Sequence, residues 1–132
     1  MAKVVNISEA ASIALHGMIL IARSKELINV NVIADATKTS KHHVAKILQH
    51  LVKEGFLDSH RGPSGGFILK KDIKKINFLD IYEAIEGKIE TNKCPLDKQI
   101  CPFDKCIMNN TTRKLSDEFK KYLKAQTLDK YL

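Results

Sequence analysis

The sequence predicts a mainly α-helical protein with a small β-hairpin wing: a winged helix–turn–helix domain followed by a long C-terminal helix. Segments with helical spacing are separated by a short polar turn, a glycine-rich turn lies between two β-prone runs, and helical spacing returns near the C-terminus. The 132 residues, 44% of them hydrophobic and 28% charged, are sufficient for one domain with a buried core.

The first predicted helix spans residues 7–23 and is almost entirely apolar or small. Ser8 is a suitable N-cap, because its side-chain oxygen can accept a hydrogen bond from a free backbone N–H of the first turn. A helix with so few polar positions is buried on most sides, either in the core or against a partner. A short helix over residues 29–36 and a polar turn at 37–39 are expected next.

The third predicted helix follows Ser40, a second N-cap, and ends at Gly55, a typical C-terminal glycine. Its opposite faces differ, since one is basic and polar and the other is apolar. This pattern predicts a helix that packs on the core and exposes a polar surface. The apolar residues occupy the i, i+3, i+4, i+7 and i+8 positions: Val44, Ile47, Leu48, Leu51 and Val52.

A hairpin is predicted from the runs at residues 56–60 and 67–70, which flank the turn Arg-Gly-Pro-Ser-Gly-Gly. Asn77 is expected to cap a fourth helix, which continues through Glu86 and is closed by Gly87. Residues 88–106 have two prolines and no clear period, so a loop is expected there, and residues 108–123 regain helical spacing. The predicted organisation is a winged helix–turn–helix domain at 1–87, a cysteine-bearing loop at 88–107, and a C-terminal helix with a tail at 108–132.

The chain is basic, with 22 Lys and Arg against 15 Asp and Glu, a net charge of +7. Such a balance in a short chain points to a polyanionic partner, nucleic acid before a membrane surface. Residues 37–75 combine nine basic side chains with three carboxylates, and they include the helix and hairpin that a winged helix presents to double-stranded DNA. The residues expected to contact DNA are Lys38, Ser40, Lys41, His42, His43, Lys46, Gln49, Arg61, Gly62, Ser64 and Gly65.

Three cysteines, Cys94, Cys101 and Cys106, form a C-x6-C-x4-C pattern in the predicted loop. An odd number of clustered cysteines is untypical of a secreted disulfide scaffold and favours a reducing cytoplasm. The spacing matches neither a paired zinc knuckle nor a ferredoxin run. Metal or cluster binding, a disulfide switch between two of the thiols, and three reduced thiols without a role all remain open.

The whole arrangement resembles the IscR/NsrR type of bacterial repressors, which sense iron–sulfur status or nitric oxide. The resemblance rests on the helix–turn–helix, on HRGPSGGF at residues 60–67, on DIYEAIEG at residues 80–87, and on three cysteines before a closing helix. It implies a homodimer whose long C-terminal helices pair and which binds a palindromic operator. It also implies that the three cysteines hold a [4Fe–4S] or [2Fe–2S] cluster, which can be lost on purification.

Two details bring the resemblance closer to the NsrR type. IscR-like proteins have a histidine three residues beyond the last cysteine, where this chain has Asn109. NsrR-like proteins use an acidic residue near the start of the first helix, supplied by the other subunit, and the matching position here is Glu9. The resemblance therefore implies Glu9 as the fourth metal ligand. Its other interpretation is an acidic residue that complements the helix dipole.

The resulting hypothesis is a cytoplasmic, dimeric repressor whose operator binding responds to nitric oxide, redox or iron–sulfur status. The alternative is a winged-helix regulator with zinc or a thiol–disulfide switch and no cluster. An enzyme is not expected, because no carboxylate pair or nucleophile–base pair stands out. Nor is a membrane protein, because no apolar run approaches the roughly 20 residues of a membrane span.

Overall fold

The computed structural model describes residues 1–91 and 101–132, and within them it has the predicted fold. Two antiparallel strands form the wing, β1 (Leu57–His60) and β2 (Gly66–Leu69). Single turns of 3₁₀ helix lie at Ile73–Lys75 and Leu128–Tyr131. The α-helices are α1 (Glu9–Arg23), α2 (Val30–Thr37), α3 (Lys41–Lys53), α4 (Phe78–Glu86) and α5 (Thr111–Ala125).

The helix N-termini confirm the predicted caps. Ser8 Oγ accepts a hydrogen bond from the Ala11 N–H at 3.0 Å, and Ser40 Oγ accepts one from the His43 N–H at 3.1 Å. Asn77 caps α4 in the same way. Each cap satisfies a backbone donor that has no partner within its helix, which typically contributes about 1 kcal/mol. At the start of α3, the Ser40 cap fixes a first turn in which Lys41 and His42 are exposed.

The core is built around α1, which packs against α3, α4 and the wing. Its apolar sequence is explained by this central position, because Ala11, Ile13, Ala14, Met18 and Ile21 are all buried. The predicted apolar face of α3 is also buried, except that Val52 is only half-buried. Helix α3 is therefore packed against the core on one side and exposed on the other.

The wing is joined to the start of α2 by an isolated antiparallel bridge. Ile28 and Phe67 exchange two backbone hydrogen bonds, of 3.1 Å and 2.7 Å. Gly66 lies directly beside this bridge, where a Cβ atom would be 2.4 Å from the Ile28 carbonyl oxygen. A glycine is thus required here by the close approach of two backbones.

The C-terminal helix begins three residues later than predicted, at Thr111 instead of Met108. Asn109 and Asn110 both adopt left-handed backbone conformations, with φ of 50° and 57°, which interrupt helical geometry before the first turn. At its other end the chain returns to the core. Leu123 and Leu128 are buried there, and Thr127 forms a β-bridge with Asn77.

Candidate nucleic-acid interface and cysteine segment

The exposed side of α3 and the turn before it carry six of the eleven residues expected to contact DNA. Ser40 is exposed at the N-cap, and Lys38 is exposed just before it, in a left-handed conformation (φ 55°) that turns the chain from α2 towards α3. This geometry gives a continuous polar surface over the first two turns of the helix, where a recognition helix contacts base edges and phosphates. Among the residues of α3 expected to contact DNA, His43 is half-buried and the exposed ones are Lys41, His42, Lys46 and Gln49.

The tip of the wing exposes Arg61, Gly62 and Ser64. Gly62 has a φ of 104°, a conformation that glycine adopts without strain, and its carbonyl accepts a hydrogen bond from the Gly65 N–H at 2.9 Å. Gly65 itself is required for space, because a Cβ there would lie 2.2 Å from the His60 carbonyl oxygen. Arg61 is therefore exposed at the start of this tight turn, directly after β1.

A cavity of about 300 Å³ is lined jointly by α3, the wing and the first turn of α2. Gln49 lines it from α3, and Arg61 lines it from the wing. Asn29, Asn31 and Ser59 also line it, and sequence reasoning did not single them out as site residues. Asn29 caps α2 by accepting a hydrogen bond from the Val32 N–H, and its residue type could have indicated the start of that helix. Its position beside the wing depends on the Ile28–Phe67 bridge, which residue type does not indicate.

The other flank of α3 is held by the body of the protein. His43 Nδ1 lies 2.7 Å from Glu9 Oε1, in the first turn of α1. His50, two turns further along α3, bonds through Nε2 to the Ala84 carbonyl of α4 at 2.8 Å. Two residues predicted for different roles, Glu9 for a metal and His43 for DNA, are therefore partners of each other in this chain.

Only part of the cysteine pattern falls within the described residues, since Cys94 lies outside them. Cys101 is half-buried and Cys106 is exposed, and neither forms a disulfide. The backbone N–H groups of Asn110 and Met108, both in the turn before α5, donate to the Cys106 sulfur and lower the pKa of its thiol. The nearby Arg113 charge adds a smaller effect in the same direction. A thiol stabilised as the thiolate has the chemistry of a metal ligand or of a redox-active cysteine.

The donor set can be tested for fit to an iron–sulfur cluster as far as the chain is described. Cys106 fits, because thiolate ligands are what such clusters require. Within residues 1–91 and 101–132, no three His, Cys, Asp or Glu side chains converge in a way that could bind a metal ion. A complete site would therefore need Cys94, and Glu9 would have to come from a second subunit, as the resemblance implies.

A second exposed surface, the apolar face, runs along the outside of α5 and the N-terminal segment. Leu115 is 42% exposed and Tyr122 is 55% exposed on α5. Val4 and Val5 are also exposed, and they line a cavity of about 340 Å³ together with Leu115 and Phe119. Large apolar side chains that are exposed together mark a surface suited to a protein partner.

Comparison with known proteins gives consistent matches over almost the whole chain. A family model described as "Rrf2: Iron-dependent Transcriptional regulator" matches residues 7–132. A putative HTH-type transcriptional regulator from Aquifex aeolicus is 28% identical over 125 residues, 92% of this chain and 87% of that protein. The regulator IscR of Escherichia coli is 28% identical over 96 residues, 73% of this chain, and the match spans only 59% of the length of IscR.

The fold also matches a solved structure. CymR, described as the global cysteine regulator of B. subtilis, has a TM-score of 0.76 and 24% identity, with 95% of this chain and 94% of CymR covered. At this identity the similarity establishes the winged-helix fold. Among the described helices, none has the length and apolar character needed to span a membrane.

Proposed function

Because the chain belongs to the Rrf2 family of transcriptional regulators, we propose that it is a homodimeric, NsrR-like repressor that binds a palindromic operator under the control of an iron–sulfur cluster. As a member of this family it is a DNA-binding regulator and not an enzyme. The signal in this proposal is nitric oxide, redox state or iron–sulfur status, sensed in the cytoplasm. The family description as iron-dependent supports an iron-containing group.

The observation that carries the cluster proposal is the position of Cys106. Its thiol, with a lowered pKa, lies in the turn immediately before α5, the helix with the exposed apolar face. Cys94, Cys101 and Cys106 would supply three thiolates, and Glu9 of the partner subunit the fourth ligand. When bound, a [4Fe–4S] or [2Fe–2S] cluster supplies a group that nitric oxide and oxidants attack.

The residues of the chain itself explain how such a site would control DNA binding. The apolar face of α5 would pair two subunits and set the separation of the two α3 helices. Because half-sites on DNA are about 34 Å apart, or a multiple of this distance, a change in that separation weakens binding to both half-sites. A coupling of about 1–3 kcal/mol is sufficient for a 5–150-fold change in operator affinity.

The first test is an absorption spectrum of the protein purified without oxygen, with iron and sulfide analysis. Broad charge-transfer bands that bleach with nitric oxide are expected, together with a matching change in affinity for an operator selected from random duplexes. The variant with Cys94, Cys101 and Cys106 all replaced by Ser should be colourless and unresponsive, while Thr111→Ser should behave as wild type. A colourless wild-type protein after cluster reconstitution, or an unchanged response without the cysteines, would refute the cluster proposal.

A second candidate, zinc or a thiol–disulfide switch without a cluster, is favoured by one observation. The Cys106 thiol is exposed and has a lowered pKa, which are the properties of a reactive cysteine. Metal analysis separates the two candidates, because zinc without iron or sulfide supports a zinc site. A disulfide switch predicts instead that oxidation changes the intact mass by two hydrogens in metal-free protein and changes operator affinity.

A further inference from the structure

The contact between Glu9 and His43 gives the second histidine of α3 a role that neither residue type predicts alone. The two residues are 34 positions apart, and their side chains meet at 2.7 Å between Oε1 and Nδ1. Neither side chain is buried, since Glu9 is 62% exposed and His43 is 34% exposed. The contact therefore lies at the protein surface, beside the exposed residues of α3 that are expected to contact DNA.

The N-terminus of α1 is well placed to hold this contact. Ser8, the cap residue next to Glu9, donates a hydrogen bond from Oγ to the Glu86 carboxylate at the end of α4. The same Oγ accepts the Ala11 N–H, so the first turn of α1 is fixed from two sides. The backbone from which the Glu9 side chain extends is therefore restrained, which lowers the entropy cost of holding His43.

A carboxylate at Nδ1 determines which atom of the imidazole is left for a ligand. Because a carboxylate only accepts hydrogen bonds, Nδ1 must carry the proton, and the Nε2 of a neutral ring then becomes an acceptor. Nε2 of His43 has no hydrogen-bond partner among residues 1–91 and 101–132. His43 is the third residue of α3, in the turn from which recognition helices contact base edges.

We propose that Glu9 is a positioning residue for base recognition: it holds His43 by Nδ1, so that Nε2 accepts a hydrogen bond from an amino group in the major groove. The amino groups available there are adenine N6 and cytosine N4. The inference rests on the DNA-binding part of the proposed function. Because Glu9 is also the proposed fourth cluster ligand, the variants are compared in the cluster-free protein, where that role is absent. It also gives Glu9 a partner within its own subunit.

The test compares Glu9→Ala, which removes the acceptor, with Glu9→Gln, which removes the charge but keeps an oxygen that can accept from Nδ1. Long-range ¹H–¹⁵N spectra of the five histidines at pH 8 report the tautomer of each neutral ring. We expect His43 to be protonated at Nδ1 in wild type and in Glu9→Gln, and to shift towards Nε2 protonation in Glu9→Ala. Glu118→Ala, which removes an exposed carboxylate on α5, is the matched control and should leave the spectrum unchanged.

Operator affinity provides the second readout. Glu9→Ala and His43→Ala should each weaken binding about fivefold to tenfold and relax the preference at one amino-bearing base per half-site, and the double variant should be no weaker than His43→Ala alone. In the cluster-free proteins used for these comparisons, Glu9→Gln should retain most of the affinity, because its amide oxygen still accepts a hydrogen bond from Nδ1. An unchanged tautomer in Glu9→Ala, or additive losses in the double variant, would overturn the inference. Absorption spectra verify that the compared samples contain no cluster, so the loss of a proposed cluster ligand does not contribute to their differences. The cluster proposal is judged separately, on the wild-type protein purified without oxygen.

Discussion

Gly66→Ala tests the joint between the wing and the helix–turn–helix. The added Cβ would lie 2.4 Å from the Ile28 carbonyl oxygen and 2.7 Å from its carbonyl carbon. Both atoms belong to backbone, so the strand must move by roughly 1 Å to reach an ordinary contact. Such a shift breaks the two hydrogen bonds between Ile28 and Phe67, which have lengths of 3.1 Å and 2.7 Å.

The expected cost of Gly66→Ala is about 2–4 kcal/mol of unfolding free energy. Overpacking contributes about 1–3 kcal/mol and each lost hydrogen bond about 1 kcal/mol, with partial relaxation between them. Urea denaturation followed by circular dichroism measures this value, and the melting temperature should fall by roughly 6–15 °C for a domain of this size.

Gly17→Ala is the matched control for this prediction. Gly17 lies inside α1, and a Cβ there would be 3.5 Å from Leu48 Cδ2, an ordinary packing distance. Because alanine favours a helix by about 1 kcal/mol over glycine, this variant should be neutral or more stable. The argument fails if Gly66→Ala costs less than about 0.5 kcal/mol, or if both variants lose the same stability.

The remaining predictions concern DNA binding, thiol chemistry and assembly. Lys46→Ala should lower the affinity for all DNA sequences and reduce the slope of log K against log salt concentration by about one. Gln49→Ala should mainly relax the preference for particular bases. Binding titrations at several salt concentrations would contradict this if both variants behaved alike. In metal-free protein the rate of Cys106 alkylation should rise at lower pH than in the urea-unfolded chain, because backbone N–H donors favour the thiolate; coincident pH profiles from peptide mass spectrometry would refute the lowered pKa. Leu115→Glu should shift the protein to monomers in analytical ultracentrifugation, and Leu115→Met should not, because only the first places a charge on the apolar face.

The parts of the fold that could be predicted from the sequence depend on local rules. Ser8, Ser40 and Asn77 cap helices through contacts three residues away, so residue type and position were sufficient to predict them. The apolar face of α3 was predictable because its spacing follows the helical period. The start of α5 was predicted wrongly, since two consecutive left-handed asparagines cannot be recognised from apolar spacing.

The features that sequence reasoning missed depend on long-range contacts. The Ile28–Phe67 bridge joins residues 39 positions apart and places Asn29 and Asn31 beside the wing. In the candidate site, the family resemblance implied a metal for Glu9, and the position of His43 on the polar face of the predicted helix suggested a contact to DNA. Their contact depends on how α1 crosses α3, which no local pattern encodes.

The C-terminal end of α5 is fixed to the core, whereas its first turn is not buried. Leu123 in the last turn of α5 and Leu128 after it are buried, and Arg23 Nε donates a hydrogen bond to the Tyr131 carbonyl at 2.8 Å. These contacts hold the C-terminal end of α5 in place. The 15 residues of α5 span about 22 Å, and the opposite end follows the Cys106 turn. A tilt of α5 by about 5° about its C-terminal end would move its first turn by roughly 2 Å. In the proposed function, a small rearrangement among the cysteines would thereby turn α5 as a rigid body, without any loss of helical structure.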